Sequence, residues 1–107
     1  MSALLSLFSL FSAAPETVTT LSVDPTWTVV EVEVQGRGWL TATVDAPDGG
    51  AEVLQAGVPV GVAGRETRVH VEPGRYAVGG WVDYGRADLV VTFVGEGTVR
   101  VVPALVL

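Results

Sequence analysis

Residues 28–34 read Thr-Val-Val-Glu-Val-Glu-Val, and the alternation puts Val30, Val32 and Val34 on one face with Glu31 and Glu33 on the other. A two-residue period is that of a half-buried strand. A helix, with its 3.6-residue period, cannot keep those three valines on one side. The pattern recurs along the chain. Leu40, Ala42 and Val44 share one parity, Val69 and Val71 another, and Leu89, Val91 and Phe93 a third. Tyr76, Val78, Val82 and Tyr84 also share a parity. Valine makes up about a fifth of the sequence, and its stiff, branched side chain suits a pleated surface.

Turn chemistry separates these runs. Gly36-Arg37-Gly38, Asp45-Ala46-Pro47-Asp48-Gly49-Gly50 and Pro73-Gly74 are breakers. Gly95-Glu96-Gly97 reads as a tight hairpin into the last strand. Pro59 pushes Val58–Val62 toward a sheet edge, because proline cannot donate to the ladder. Gly79-Gly80, in mid-strand, predicts a bulge or a close backbone approach. About seven to nine short strands at this spacing predict an all-β chain with a single β-sandwich, jelly-roll or Ig-like, over residues 16–107. Residues 1–15 are set apart as a short apolar N-terminal helix or arm. The stretch Val71–Val78, Val-Glu-Pro-Gly-Arg-Tyr-Ala-Val, resembles the turn-and-strand of prealbumin-like and collagen-binding-B-like sandwich modules. It covers under a tenth of the chain, and the resemblance implies a sandwich fold and no function.

Catalytic signals are absent from the pattern. The one histidine, His70, shares parity with Arg68 and Glu72, which points it to solvent. No nucleophile motif accompanies it. Asp45, Asp48, Asp83 and Asp88 lack the alternating acidic spacing of a calcium loop. Gly57, Gly61 and Gly64 lack the lysine and following helix of a phosphate loop. With no cysteine there is no disulfide or thiolate site. The expectation is therefore a non-enzymatic protein with no cofactor and no metal. A net charge of −6 and six scattered arginines argue against nucleic acid.

Tryptophan is more informative. Trp27 shares parity with Glu31 and Glu33, Trp39 with Thr41 and Thr43, and Trp81 with Arg75 and Asp83. Two readings stay open. Either all three indoles point outward as a contact surface, where tryptophan is enriched at hot spots, or they do not, because a short bulge reverses the parity or the rings cap the ends of the sandwich. A sugar platform is a third, lower-ranked option, because asparagine is absent.

The opening Met-Ser-Ala-Leu-Leu-Ser-Leu-Phe-Ser-Leu-Phe-Ser-Ala-Ala-Pro is uncharged. It lacks the basic n-region of a secretion signal, though its small residues before Pro15 resemble a cleavage site. It is too short to span a bilayer, which needs about twenty apolar residues. At helical spacing, Ser2, Ser6, Ser9 and Ser12 form one stripe, while Leu4, Leu7, Phe8 and Phe11 cover much of the rest. Such a surface calls for burial against protein. Lys, Asn and Ile, with AT-rich codons, are absent, which indicates a GC-rich genome.

These features predict a structural subunit of a symmetric assembly. Its most concrete form is a small phage virion protein, either capsid decoration or minor capsid/tail, and its localisation is the virion. It would dock through Leu4, Leu7, Phe8, Phe11, Trp27, Trp39 and Trp81 on subunits of the same assembly, as a homo-oligomer or on a major capsid protein. The alternative is a secreted or cell-surface binding module for glycan or protein, with residues 1–14 as a signal-like segment.

Overall fold

The computed structural model describes residues 16–103, so the apolar segment 1–15, with its expected helix or arm, lies outside the described residues, as do residues 104–107. The described residues form nine strands: β1 (Glu16–Val23), β2 (Thr28–Val34), β3 (Arg37–Val44), β4 (Gly49–Gln55), β5 (Val58–Pro59), β6 (Glu66–Val71), β7 (Gly74–Val82), β8 (Ala87–Glu96) and β9 (Val99–Val101). No helix occurs among the described residues. Pairing is antiparallel throughout, in a four-stranded sheet ordered β1-β8-β3-β6 and a five-stranded sheet ordered β5-β4-β7-β2-β9.

Strand order decides between the two sandwich types. In an immunoglobulin-type domain the first two strands are neighbours in one sheet. Here β1 and β2 lie in different sheets, and every connection except β4–β5 changes sheet. With β9 set aside, the orders 1-8-3-6 and 5-4-7-2 are those of a jelly roll.

The predicted alternation supplies the core. Val32 and Val34 of β2, Leu40, Ala42 and Val44 of β3, Val71 of β6 and Leu89, Val91 and Phe93 of β8 are buried between the sheets. Val30 and Val69 are partly buried against the same cluster. Full burial of a side chain such as Leu40 or Leu89 stabilises the fold by roughly 1.5–3 kcal/mol. Tyr76 is also inside, and its hydroxyl is satisfied by the turn it follows. It donates to the Glu72 carbonyl and accepts from the Glu72 N–H, both at 3.1 Å. A buried phenol needs such a partner, which is what the Pro73-Gly74 turn provides. Tyr84 leaves the pattern, because β7 ends at Val82 and Tyr84 is exposed in the turn beyond.

Two local expectations are corrected. Gly95-Glu96-Gly97 does not close a hairpin, since β9 crosses to the other sheet and pairs with β2. The β2–β3 and β8–β9 connections cross side by side, and the Gln35 N–H donates to the Thr98 carbonyl at 2.8 Å. The backbones touch there. A Cβ on Gly36 would fall 1.8 Å from the Glu96 carbonyl oxygen, and Gly97 has φ +83°. Both glycines serve this crossing. Gly79-Gly80 carries no bulge either, as β7 keeps unbroken register with β2 and β4. The nearest atoms to a Cβ on Gly79 would not be those of a second backbone, but those of the Trp27 indole. Pro59 sits where expected, in the two-residue edge strand β5.

Candidate functional site

All three tryptophans point outward, on opposite faces of the sandwich. Trp39 alternates with buried Gly38 and Leu40 and stands on the outer face of the four-stranded sheet. Trp81 lies between buried Gly80 and Val82 on the outer face of the five-stranded sheet, and Trp27 joins it there from the β1–β2 connection. Trp27 is 48% and Trp39 41% exposed, while Trp81 is half-buried.

On the five-stranded face the indoles lie on glycine. A Cβ on Gly79 would sit 2.2 Å from Cζ2 of Trp27, and one on Gly50 would sit 2.4 Å from Cζ2 of Trp81. The register explains the arrangement. Gly50 pairs with Trp81, and Gly79 pairs with Val29, two residues beyond Trp27. The two rings have centroids 5.5 Å apart and planes inclined by 35°. A local turn sets Trp27 in place. The backbone N–H of Thr26 donates to Asp24 Oδ1 at 2.8 Å, and the Thr26 hydroxyl donates to the same oxygen. Those bonds, helped by the charge of Arg86, hold the Asp24 carboxyl below its ordinary pKa.

Carboxylates flank this pair. Glu52 stands opposite Gly79 in the ladder, and Glu31 opposite Ala77. Farther along, Glu33 bridges three strands. It accepts from Arg100 at 2.8 Å and 2.9 Å and lies 3.8 Å from Arg75. The Arg100 hydrogen bond, then its charge, lower the Glu33 pKa, with smaller help from Gln35 and Arg75. Beside Val29, where β9 stops covering β2, a groove of about 410 Å³ is lined by Val30, Glu31, Arg75, Val101, Val102 and Pro103.

The four-stranded face is built differently. The Arg68 guanidinium lies 4.6 Å from the centroid of the Trp39 ring, a cation–π contact. His70 meets the same indole edge-on at 5.2 Å and 81°. Both come from β6, where His70 pairs directly with Trp39. Thr41, Thr43, Thr92, Val94 and Glu66 complete a hollow of about 380 Å³. His70 thus sits on the solvent face, as its parity indicated, serving as an aromatic neighbour.

The structure brings Trp27 and Trp81 together and keeps Trp39 apart from them. Leu4, Leu7, Phe8 and Phe11 lie outside the described residues. Among the described residues no group of three or more potential metal ligands converges, and no helix is long and apolar enough to cross a membrane. Sequence reading missed Gly50 and Gly79 as floors for the indoles. The available signal was a glycine on the outward parity of a strand that also carries tryptophan. It also missed the stacking of Arg68 on Trp39, because β3 and β6 are not consecutive. No protein-family model and no curated protein matches this chain.

Proposed function

We propose that this protein is a non-enzymatic structural subunit of a symmetric protein assembly, most concretely a small virion protein of a phage with a GC-rich host, acting as capsid decoration or as a minor capsid or tail protein. The observation that carries this reading is an indole, Trp39, standing exposed on the outer face of the four-stranded sheet. It stands beside Arg68, and tryptophan and arginine dominate interface hot spots. The segment bearing Leu4, Leu7, Phe8 and Phe11 adds apolar surface for a groove on a neighbour, so that burial drives binding.

Deletion of residues 2–14 is expected to leave a folded domain that no longer incorporates into particles. Trp39→Ala is expected to weaken incorporation without unfolding the chain. Normal assembly of both variants would overturn the proposal. Native mass measurement of the intact chain should show an oligomer or larger complex.

One observation favours the exported alternative. The Trp27–Trp81 pair lies against its own sheet, which suits a small ligand better than a subunit contact. N-terminal sequencing of the native protein separates the two readings. A chain starting near Pro15 supports export, and one starting at Met1 or Ser2 supports the assembly arm.

A further inference from the structure

We propose that the Trp27–Trp81 face is a binding platform for a neutral oligosaccharide, whether the chain is built into a particle or exported. Four observations converge on that ligand chemistry.

The first is the floor. An interface tryptophan usually anchors by filling a pocket on its partner. These two rings rest on Gly50 and Gly79, where any Cβ would collide with them. They offer their faces, held in place before a ligand arrives, so little ordering entropy is lost on binding. The second is the shape. Planes inclined by 35° at 5.5 Å make a shallow platform. A cage for a quaternary ammonium needs rings that close around the cation. A pyranose with equatorial hydroxyls instead presents a flat array of C–H bonds, weakly positive, to the negative faces of the rings.

The third observation is the surrounding charge. Glu52 is placed beside the Trp27 ring by its pairing with Gly79, and it has no ion-pair partner among the described residues. Carboxylates accept hydrogen bonds from sugar hydroxyls. Together with Glu31 and a net charge of −6, they disfavour phosphate-bearing ligands such as nucleotides, whose bases would otherwise stack equally well. Charged residues are also depleted at the centres of protein interfaces. The fourth is the contrast with Trp39. That indole already carries Arg68 from its own chain, whereas among the described residues no cation lies over Trp27 or Trp81.

The test titrates the full chain with cellohexaose and with chitohexaose, followed by tryptophan fluorescence and calorimetry. Tetramethylammonium and adenosine monophosphate serve as competing chemistries. The expected result is saturable binding of at least one hexasaccharide. Trp27→Ala and Trp81→Ala should each weaken it about tenfold or more, and Trp39→Ala should leave it within about twofold. Glu52→Gln, which keeps the shape, should weaken it without abolishing the spectral change. Each variant's thermal unfolding is recorded, and Trp27, at 48% the more exposed of the two rings, gives the variant that disturbs the fold less. No binding of either hexasaccharide at millimolar concentration, binding that survives the Trp27→Ala/Trp81→Ala double variant, or preferential binding of tetramethylammonium or the nucleotide would each overturn the proposal. Assembly of the particle is read separately and does not bear on this result.

Discussion

The two outer faces of the sandwich use the same residue type in opposite ways. On the five-stranded face, glycines at 50 and 79 remove the side chains that would hold Trp27 and Trp81 off the sheet. On the four-stranded face, Trp39 keeps full-sized neighbours, and Arg68 and His70 use its surface. An outward tryptophan therefore has no fixed meaning. Its neighbours across the ladder decide whether its ring is offered to a ligand or engaged by its own chain.

The sharpest way to break this contrast is to restore a side chain beneath Trp27. Gly79→Val is expected to displace that ring and destabilise the fold by about 1–3 kcal/mol, the usual cost of overpacking. Urea unfolding would give the stability change, and near-UV circular dichroism would report loss of the Trp27–Trp81 pair. If stability and spectrum both stay unchanged, the two rings are not a packed unit.

A smaller effect is expected on the opposite face. Arg68→Gln should remove the cation from Trp39 and cost about 0.5–1 kcal/mol at this exposed site. The fluorescence of Trp39, isolated by replacing the other two indoles with phenylalanine, should shift, while the Trp27–Trp81 signal of the single Arg68→Gln variant stays as it was. A shift in both signals would mean that the faces are coupled through the core.

The smallest effect concerns acid. Asp24 and Glu33 both have lowered pKa values in the folded chain, from hydrogen bonds by Thr26 and Arg100 respectively. A depressed carboxyl stabilises the fold above its unfolded pKa, and that contribution is lost as pH falls through the folded value. The gain is present at neutral pH and fades below about pH 4. Asp24 sets the turn before Trp27, and Glu33 ties β9 and β7 to β2. Acidification should therefore change the indole NMR signal of Trp27 in step with protonation of Asp24, at a pH below the ordinary carboxylate range. Thr26→Val, which removes the hydroxyl bond to Asp24, should move that change to higher pH, and a Trp27 midpoint that Thr26→Val leaves in place would contradict this assignment.

Much of the fold was legible because strand alternation is a local property. Val32, Leu40, Val78 and Leu89 could be assigned to the interior from their own neighbours in sequence. Pro59 marked an edge for an equally local reason, its missing N–H. The crossing at Gly36 and Gly97 was hidden. Gly95-Glu96-Gly97 is good hairpin chemistry, and only the strand that pairs with β9 shows that the chain changes sheet instead.

The candidate site divides the same way. Parity put Trp39 and Trp81 outward only if their strands ran without a bulge, and the unbroken register of β3 and β7 decided it; Trp27 precedes β2, and the β1–β2 connection brings it to the face. Which of them share a face did not follow. Trp27 meets Trp81, and Arg68 meets Trp39, only through pairings between strands distant in the chain. The sequence alone thus determined which side of its strand each side chain occupies, since that depends on backbone geometry within a few residues. The tertiary structure decided which side chains became neighbours, since a jelly roll alternates its strands between two sheets and builds each face from segments that are far apart in sequence.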